Sequence, residues 1–474
     1  MKNIKKITVL LCLLLSAAVL FGGCDVLSFT AAENLVRPPK LTGTNGDLQD
    51  AFENAVSDIG EFILRYPSSG DYRSAYVTYD CDGDGVDEAF VFYSPKTEEM
   101  SVYMYMLNYS DGEWKAVGEI LGDGSDIYSI EFCDLNDDGI SEILVGWSSL
   151  DSKNNKKLSV YCSYKNSQNL NYRILALESY TEMYTEDLDG DGEVEILVAL
   201  INSTSDTYTT DAKLLKMSDG DDGSFQISAV GQTSLYSEIT AVTAISSGYS
   251  GGKKYIYIDE AADSLYLTEL ICWDDVNQTI TAPISVDLLS VASCPTSRAV
   301  SLVCTDIDGD GELEIPSTVL LQNGSVVRRT DSTDTVTDSS DTQQENIYIT
   351  KWSKYDDGNY TAVSEYISND TDCFTFNYDE EFMADKSVTF YYDEHVTQFY
   401  AVVSSEDEAN TEETVLLFTI TAVELTDTVS IGAYLTVGSQ WKYIYEITGA
   451  GEEAGITKLF IENNFSPYEE STES

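Results

Sequence analysis

The stretch that decides the fold is Asp187–Leu200, DLDGDGEVEILVAL. Three aspartates alternate with other residues, a glycine and a glutamate follow, and the chain then turns apolar. Nearly the same phrase begins at Asp80 (DCDGDGVDEAFVFY), Asp134 (DLNDDGISEILVGW) and Asp306 (DIDGDGELEIPSTV). The first three starts are 54 and 53 residues apart, and the fourth follows after 119, about twice that interval. A degenerate copy is therefore expected in between. ITAVTAISSGYSGGKKYIYIDEA, from Ile239, keeps strand, turn and strand but has lost the loop acids.

Self-similarity at a fixed period marks a repeat architecture. Each phrase follows a β-rich run: SAYVTY, IYSIEF, YTEMYT, ITAVTA or AVSLVC. Each is followed by further strand-like runs joined by a polar turn, as in YMLNYSDGEWKAV and LKMSDGDDGSFQIS. Short runs rich in Tyr, Val, Ile and Thr between turn residues read as strands. One unit is then strand, acid loop, strand, strand, polar turn, strand. The expected fold is mainly β: a β-propeller of about five blades, with repeats near 72–122, 123–178, 179–232, 233–290 and 291–366. The rival, an array of β-sandwiches, rarely keeps one loop at a fixed place in every unit. The fifth unit is stretched by a Ser/Thr/Asp-rich insertion at 323–345, expected to be a disordered surface loop.

Within each loop, oxygen-bearing side chains fall at positions 1, 3, 5 and 9. They are Asp80, Asp82, Asp84, Glu88; Asp134, Asn136, Asp138, Glu142; Asp187, Asp189, Asp191, Glu195; and Asp306, Asp308, Asp310, Glu314. Glycine holds position 6 (Gly85, Gly139, Gly192, Gly311), and Val86, Ile140, Glu193 and Glu312 at position 7 can offer a carbonyl. Carboxylates this crowded repel one another unless a cation neutralises them. Six or seven hard oxygen ligands around a glycine-permitted turn suit Ca²⁺, whereas Mg²⁺ demands stricter octahedral geometry. An EF-hand needs a bidentate glutamate at position 12 and flanking helices. Position 12 here is Val91, Val145, Val198 or Ser317, and the flanks are β-branched. A glycosidase pair of carboxylates would be one asymmetric pair, not the same set in every unit.

A strand–DxDxDGxx[DE]–strand unit resembles the FG-GAP/VCBS repeats of integrin-type β-propellers, over about Tyr72–Tyr366. The resemblance implies that the residues just named are calcium ligands, giving about four structural sites in five blades. The fourth unit departs from the pattern by lacking the ligands, and five blades is fewer than the seven of the integrin head. Expected affinity is weak, on the order of 10⁻⁴ to 10⁻³ M, as in extracellular modules.

The N-terminus reads as an address. MKNIKK is basic, and Ile7–Phe21 is an apolar run of 15 residues, too short to span a membrane comfortably. LFGGC, ending at Cys24, resembles the bacterial lipoprotein signal. The resemblance implies removal of residues 1–23 and lipid attachment at Cys24. Residues 24–46 are then a tether. Leu48, Phe52, Val56 and Ile59 make one helical face, giving a helix at about 47–59, and EFILRY reads as a strand ending at Pro67. The segment from Leu35 to Tyr76 resembles the N-terminal part of clostridial VCBS-repeat lipoproteins, which implies a location but no activity.

After Ile367 the repeat stops. CFTFNYDEEF, KSVTFYYDE, TQFYAVVSS, TVLLFTITAVEL and QWKYIYEIT read as strands, and Ile456, Leu459 and Phe460 suggest a helix near 452–464. Residues 367–474 are expected to form a separate α+β domain with an antiparallel sheet. Trp352 and Trp441 read as packing residues, and His395 as a lone surface or edge-strand histidine.

Composition narrows function. With 26 basic and 82 acidic residues the chain carries −56, and loss of Lys2, Lys5 and Lys6 with the signal leaves −59. Such a chain repels nucleic acid and anionic membranes, so membrane attachment is expected only through the lipid anchor. A single histidine excludes histidine-cluster chemistry. Seven cysteines remain besides Cys12 and Cys24, an odd number without CxxC spacing, and read mostly as buried small hydrophobes with room for one or two bridges. The first reading is a calcium-stabilised binding or scaffolding module at the cell surface, taking a protein or glycan ligand. The alternatives are an extracellular polysaccharide-active enzyme, against which the single histidine weighs, and a spacer for the C-terminal domain.

Overall fold

The computed structural model describes residues 44–468 apart from 150–151, 167–168, 204–207, 220–223, 285–290, 322–325, 329–334, 338–346, 378–386, 405–411 and 427–433. The signal segment and Cys24 lie outside the described residues. No helix of the described residues is long and apolar enough to cross a membrane.

The chain is mostly β and forms tandem antiparallel sheets. Sheet one contains β1 (Phe62–Leu64), β2 (Tyr76–Tyr79), β3 (Glu88–Pro95), β4 (Tyr103–Ser110) and β5 (Glu113–Leu121). Sheet two is the meander β6 (Asp126–Cys133), β7 (Glu142–Ser149), β8 (Ser152–Asn166), β9 (Asn169–Tyr180). Sheet three is β10 (Glu182–Glu186), β11 (Glu195–Ser203), β12 (Tyr208–Asp219), β13 (Phe225–Leu235). Sheet four is β14 (Ala241–Ser250), β15 (Lys253–Ala262), β16 (Leu265–Asp274), β17 (Thr279–Thr281), with a bare Gly251–Gly252 turn where the others carry an acid loop.

Strands next to the acid loops are apolar without alternation because both their faces are covered. Every residue of β3, from Glu88 to Pro95, is buried. Phe90 and Phe92 pack toward Ile130, Val145 and Tyr161 of sheet two. Leu144 and Val160 pack toward Ile196 and Val198 of sheet three. Leu197 and Leu214 meet Ile256 and Ile258 of sheet four, and Tyr257 and Cys272 meet Ile315 and Tyr355 of sheet five. The sheets therefore stack in chain order, one apolar layer between each pair.

Among the described residues this row is not closed into a ring. The two ends are covered instead. Helix α1 (Thr44–Ala55) lays Leu48 and Phe52 on Ala89, Val91 and Tyr93, the outer face of sheet one. It begins before the expected start and ends earlier, residues 57–59 forming a 3₁₀ turn. β1 and β2 both pair with β3, at its opposite ends.

Sheet five is β18 (Ile315–Leu320), β21 (Ile347–Asp356), β22 (Asn359–Asn369), β23 (Phe374–Asn377) and β29 (Phe465–Pro467), in that order. Its other face meets a seven-stranded sheet of β19 (Val326–Arg328), β20 (Thr335–Thr337), β24 (Ser387–Asp393), β25 (Val396–Ser404), β26 (Glu412–Glu424), β27 (Tyr434–Val437) and β28 (Trp441–Ile447). One core runs through both, from Ile349 and Ile367 to Phe390, Phe418 and Ile461. β19 and β20 come from the insertion expected to be disordered, and the rest of that insertion is outside the described residues. The single helix expected near 452–464 is two, α2 (Gly449–Glu453) and α3 (Lys458–Asn464), broken where Gly455 takes φ +88°. Thr448 and Thr457 cap them by accepting from Gly451 and Phe460 amides.

Two further expectations are corrected. AVSLVC is not a strand of sheet five. Arg298 pairs with Tyr266 of sheet four and the Cys304 amide donates to Asp259, while the segment's links to sheet five are an isolated Thr305–Glu314 bridge and the Ala299 amide donating to the Thr318 hydroxyl. His395 is not alone. It sits in the β24–β25 turn at φ +67°, its Nδ1 2.6 Å from the buried Asp372 carboxylate and its ring 4.6 Å from Trp441. The seven cysteines from Cys81 to Cys373 are all free, and six of them are buried.

Candidate metal centre

The acid loops occupy one position in the architecture. Each leads into the second strand of a unit, and its position-9 glutamate is buried: Glu88, Glu142, Glu195 and Glu314 are 2 % exposed or less. Three hydrogen bonds recur in all four loops. The position-6 amide donates to the position-1 aspartate, as Gly85 to Asp80 (2.9 Å), Gly139 to Asp134 (2.8 Å), Gly192 to Asp187 (3.2 Å) and Gly311 to Asp306 (2.9 Å). The position-7 amide donates to the position-5 aspartate: Val86 to Asp84, Ile140 to Asp138, Glu193 to Asp191 and Glu312 to Asp310. The position-2 amide donates to the buried glutamate: Cys81 to Glu88, Leu135 to Glu142, Leu188 to Glu195 and Ile307 to Glu314.

The turn needs left-handed backbone twice. Position 6 is glycine at φ +83° to +98°, a region that costs any side chain with a Cβ. Position 4 shares it, as Gly83, Gly190, Gly309 and, in the second loop, Asp137 at φ +53°. Asp tolerates that region better than most residues.

The folded loops bring positions 1, 3 and 9 together. One oxygen each from Asp80, Asp82 and Glu88 lies within 4.8 Å of the others, and the same holds for Asp187, Asp189, Glu195 and for Asp306, Asp308, Glu314. The second loop has Asn136 at position 3. Asp84, Asp138, Asp191 and Asp310 stand outside these trios and brace the turn. The donor set is entirely hard oxygen, and its buried atoms Asp80 Oδ1, Asn136 Oδ1 and Glu314 Oε1 have no hydrogen-bond donor. That pattern fits a cation.

Burial pushes the Glu88 carboxyl up to about 7, with Asp82, Asp84 and Asp80 adding to it and the Cys81 amide opposing. Burial lifts Glu142 to about 7 in the same way, opposed by the Leu135 amide.

Two lysines enter the other loops, and the repeat phrase alone did not point to them. Lys216 Nζ lies 2.8 Å from Asp189, 2.6 Å from Asp191, 2.7 Å from Glu195 and 3.8 Å from Glu193. Burial opposes its charge, but those carboxylates outweigh it and hold the ammonium protonated well above the usual range. Lys354 reaches Asp310, Asp308 (3.5 Å), Glu314 (3.6 Å) and Glu312 (3.8 Å). Neighbouring loops also touch. The Ser141 amide donates to the Cys81 carbonyl at 2.8 Å, and Lys254 of sheet four donates to the Asp187 carbonyl at 3.0 Å.

Residues 67–145 match the FG-GAP-like repeat family. The match takes in the first two acid loops. No curated protein matches the chain. Among solved structures, a Lactobacillus plantarum protein is 9 % identical with a TM-score of 0.25, over 73 % of this chain and 85 % of that one. The exotype rhamnogalacturonan lyase YesX is 8 % identical with a TM-score of 0.29, over 74 % and 83 %. A B. megaterium levansucrase mutant is 11 % identical with a TM-score of 0.21, over 67 % and 86 %. Likenesses this loose carry no residue roles or activity to this chain.

Proposed function

We propose that this chain is a calcium-stabilised binding scaffold on the outer face of a bacterial membrane, held there by lipid on Cys24. The observation that carries the calcium part is the convergence of position-1, -3 and -9 oxygens at the same strand junction, with a buried glutamate in each loop. A divalent cation supplies the positive charge those oxygens share. The ligands are Asp80, Asp82, Glu88 and their counterparts, while the position-5 aspartates and the position-6 glycines hold the turn in shape. The loops lie at matching ends of successive sheets, and a surface built from several loops suits a protein or glycan ligand. The carboxyl pair Glu260 and Glu269 is fully buried, so it cannot meet a polymer chain.

Melting the chain in about 10 mM calcium and in EDTA tests the metal. With a dissociation constant near 10⁻⁴ M, each occupied site adds about 2.7 kcal/mol. An unchanged melting temperature in EDTA rules the calcium reading out. A glycan and cell-wall array then separates a binder from a spacer.

A further inference from the structure

The four loops fall into two classes, and the difference lies on another strand. In sheet one, Glu88 faces Asn108 across β3 and β4. One step beyond the pairs Ile143–Tyr161, Ile196–Leu215 and Ile315–Ser353, the residues facing Glu142, Glu195 and Glu314 are Cys162, Lys216 and Lys354. The first two loops thus face a neutral residue, and the third and fifth face a lysine.

A second position varies in step with the first. Position 7 is apolar in the first two loops, Val86 and Ile140, and acidic in the lysine-bearing loops, Glu193 and Glu312. Both glutamates lie 3.8 Å from the lysine of their own sheet. Of the buried loop oxygens without a hydrogen-bond donor, Asp80 Oδ1 and Asn136 Oδ1 belong to the loops without a facing lysine, while Glu314 Oε1, in the fifth loop, has Lys354 Nζ 3.6 Å away.

We propose that Lys216 and Lys354 are tethered cations that hold the third and fifth loops closed without metal, leaving the first and second as the calcium sites. The inference rests on the calcium reading above and narrows it. Lys216 Nζ touches Asp189 and Glu195, two of the three groups that converge in its loop. An ammonium and a calcium ion cannot occupy that point together. For a calcium ion to enter, the lysine has to leave. It must swing out as a cation, against the carboxylates of its own loop. The added charge of Glu193 or Glu312 keeps the lysine in place rather than recruiting a second ion.

Calcium titration by calorimetry on the full chain and on Lys216→Met/Lys354→Met tests this. The expected result is about two calcium ions for the parent and about four for the double variant. Four in both proteins, with equal affinities, overturns the inference while leaving the calcium reading standing. No calcium heat in either overturns both. Should the double variant not fold, Asp80→Asn and Asp187→Asn in the parent decide the matter. The first is expected to remove one bound calcium and the second none, and equal loss from both overturns the inference.

Discussion

Arg298 Nη2 lies 2.8 Å from Asp259 Oδ1, and neither side chain is reached by solvent. Thr268 and the Cys304 amide complete the carboxylate's hydrogen bonds, while Arg298 also donates to the Leu302 and Thr296 carbonyls. Removing one partner strands a buried charge, which costs about 3–5 kcal/mol. Arg298→Met is expected to lower the unfolding free energy, measured by urea denaturation, by that much. Asp259→Leu/Arg298→Met, which strands nothing, is expected to recover most of the loss.

Glu260 and Glu269 sit on adjacent strands of sheet four, and neither oxygen of Glu260 has a hydrogen-bond donor. Burial first, then the charge of Glu269, raises the Glu260 carboxyl well above its ordinary value, and burial raises Glu269 too. The folded chain therefore keeps a proton that the unfolded chain releases. Stability is full below the ordinary carboxylate value and falls as pH rises through the raised one. As pH rises above the ordinary carboxylate value, the urea midpoint is therefore expected to drop. Glu260→Gln should remove a slope of up to about 1.4 kcal/mol per pH unit, and an unchanged slope would contradict this assignment.

Gly85 takes φ +86°, and a Cβ placed there would meet no atom within 4 Å. The cost of Gly85→Ala is thus conformational, about 1–2 kcal/mol. If that cost falls on the closed loop, calcium affinity at the first site drops by about 5–30-fold. Calorimetry on the variant reads it directly.

Phe52 is buried, and its ring lies 5.3–5.9 Å from Phe62, Tyr76, Tyr93 and Tyr105. Phe52→Ala is expected to cost about 3–5 kcal/mol and to expose the outer face of sheet one. Faster proteolysis near α1, alongside a lower melting temperature, would check it.

The parts legible from sequence were those written locally. The four loops, the strands that follow them and the degenerate fourth unit all follow from one repeated phrase, because turn chemistry and strand composition act over a few residues. The helix face Leu48, Phe52, Val56 was readable for the same reason. What escaped depends on partners distant in the chain. The segment Ala299–Cys304 has β composition, but the Arg298–Asp259 pair draws it to sheet four. His395 lies 23 residues from Asp372, and nothing near either one announces the pair. Lys216 and Lys354 were visible in principle. KMSDG and KYDDG align with NYSDG of the first unit, and comparing third strands rather than loops brings the lysines into register.

β29 completes sheet five by pairing Phe465–Pro467 with Phe374–Phe376. Sheets one to four are each built from one continuous stretch of chain and can form as it emerges during synthesis. Sheet five cannot, because its outermost strand is made some ninety residues after its neighbour, the Thr375 hydroxyl donating to the Ser466 carbonyl at a separation of 91. Contacts that span such distances close late. Until then Phe374 and Phe376 lie along an open edge, so sheet five and the seven-stranded sheet reach their final form together.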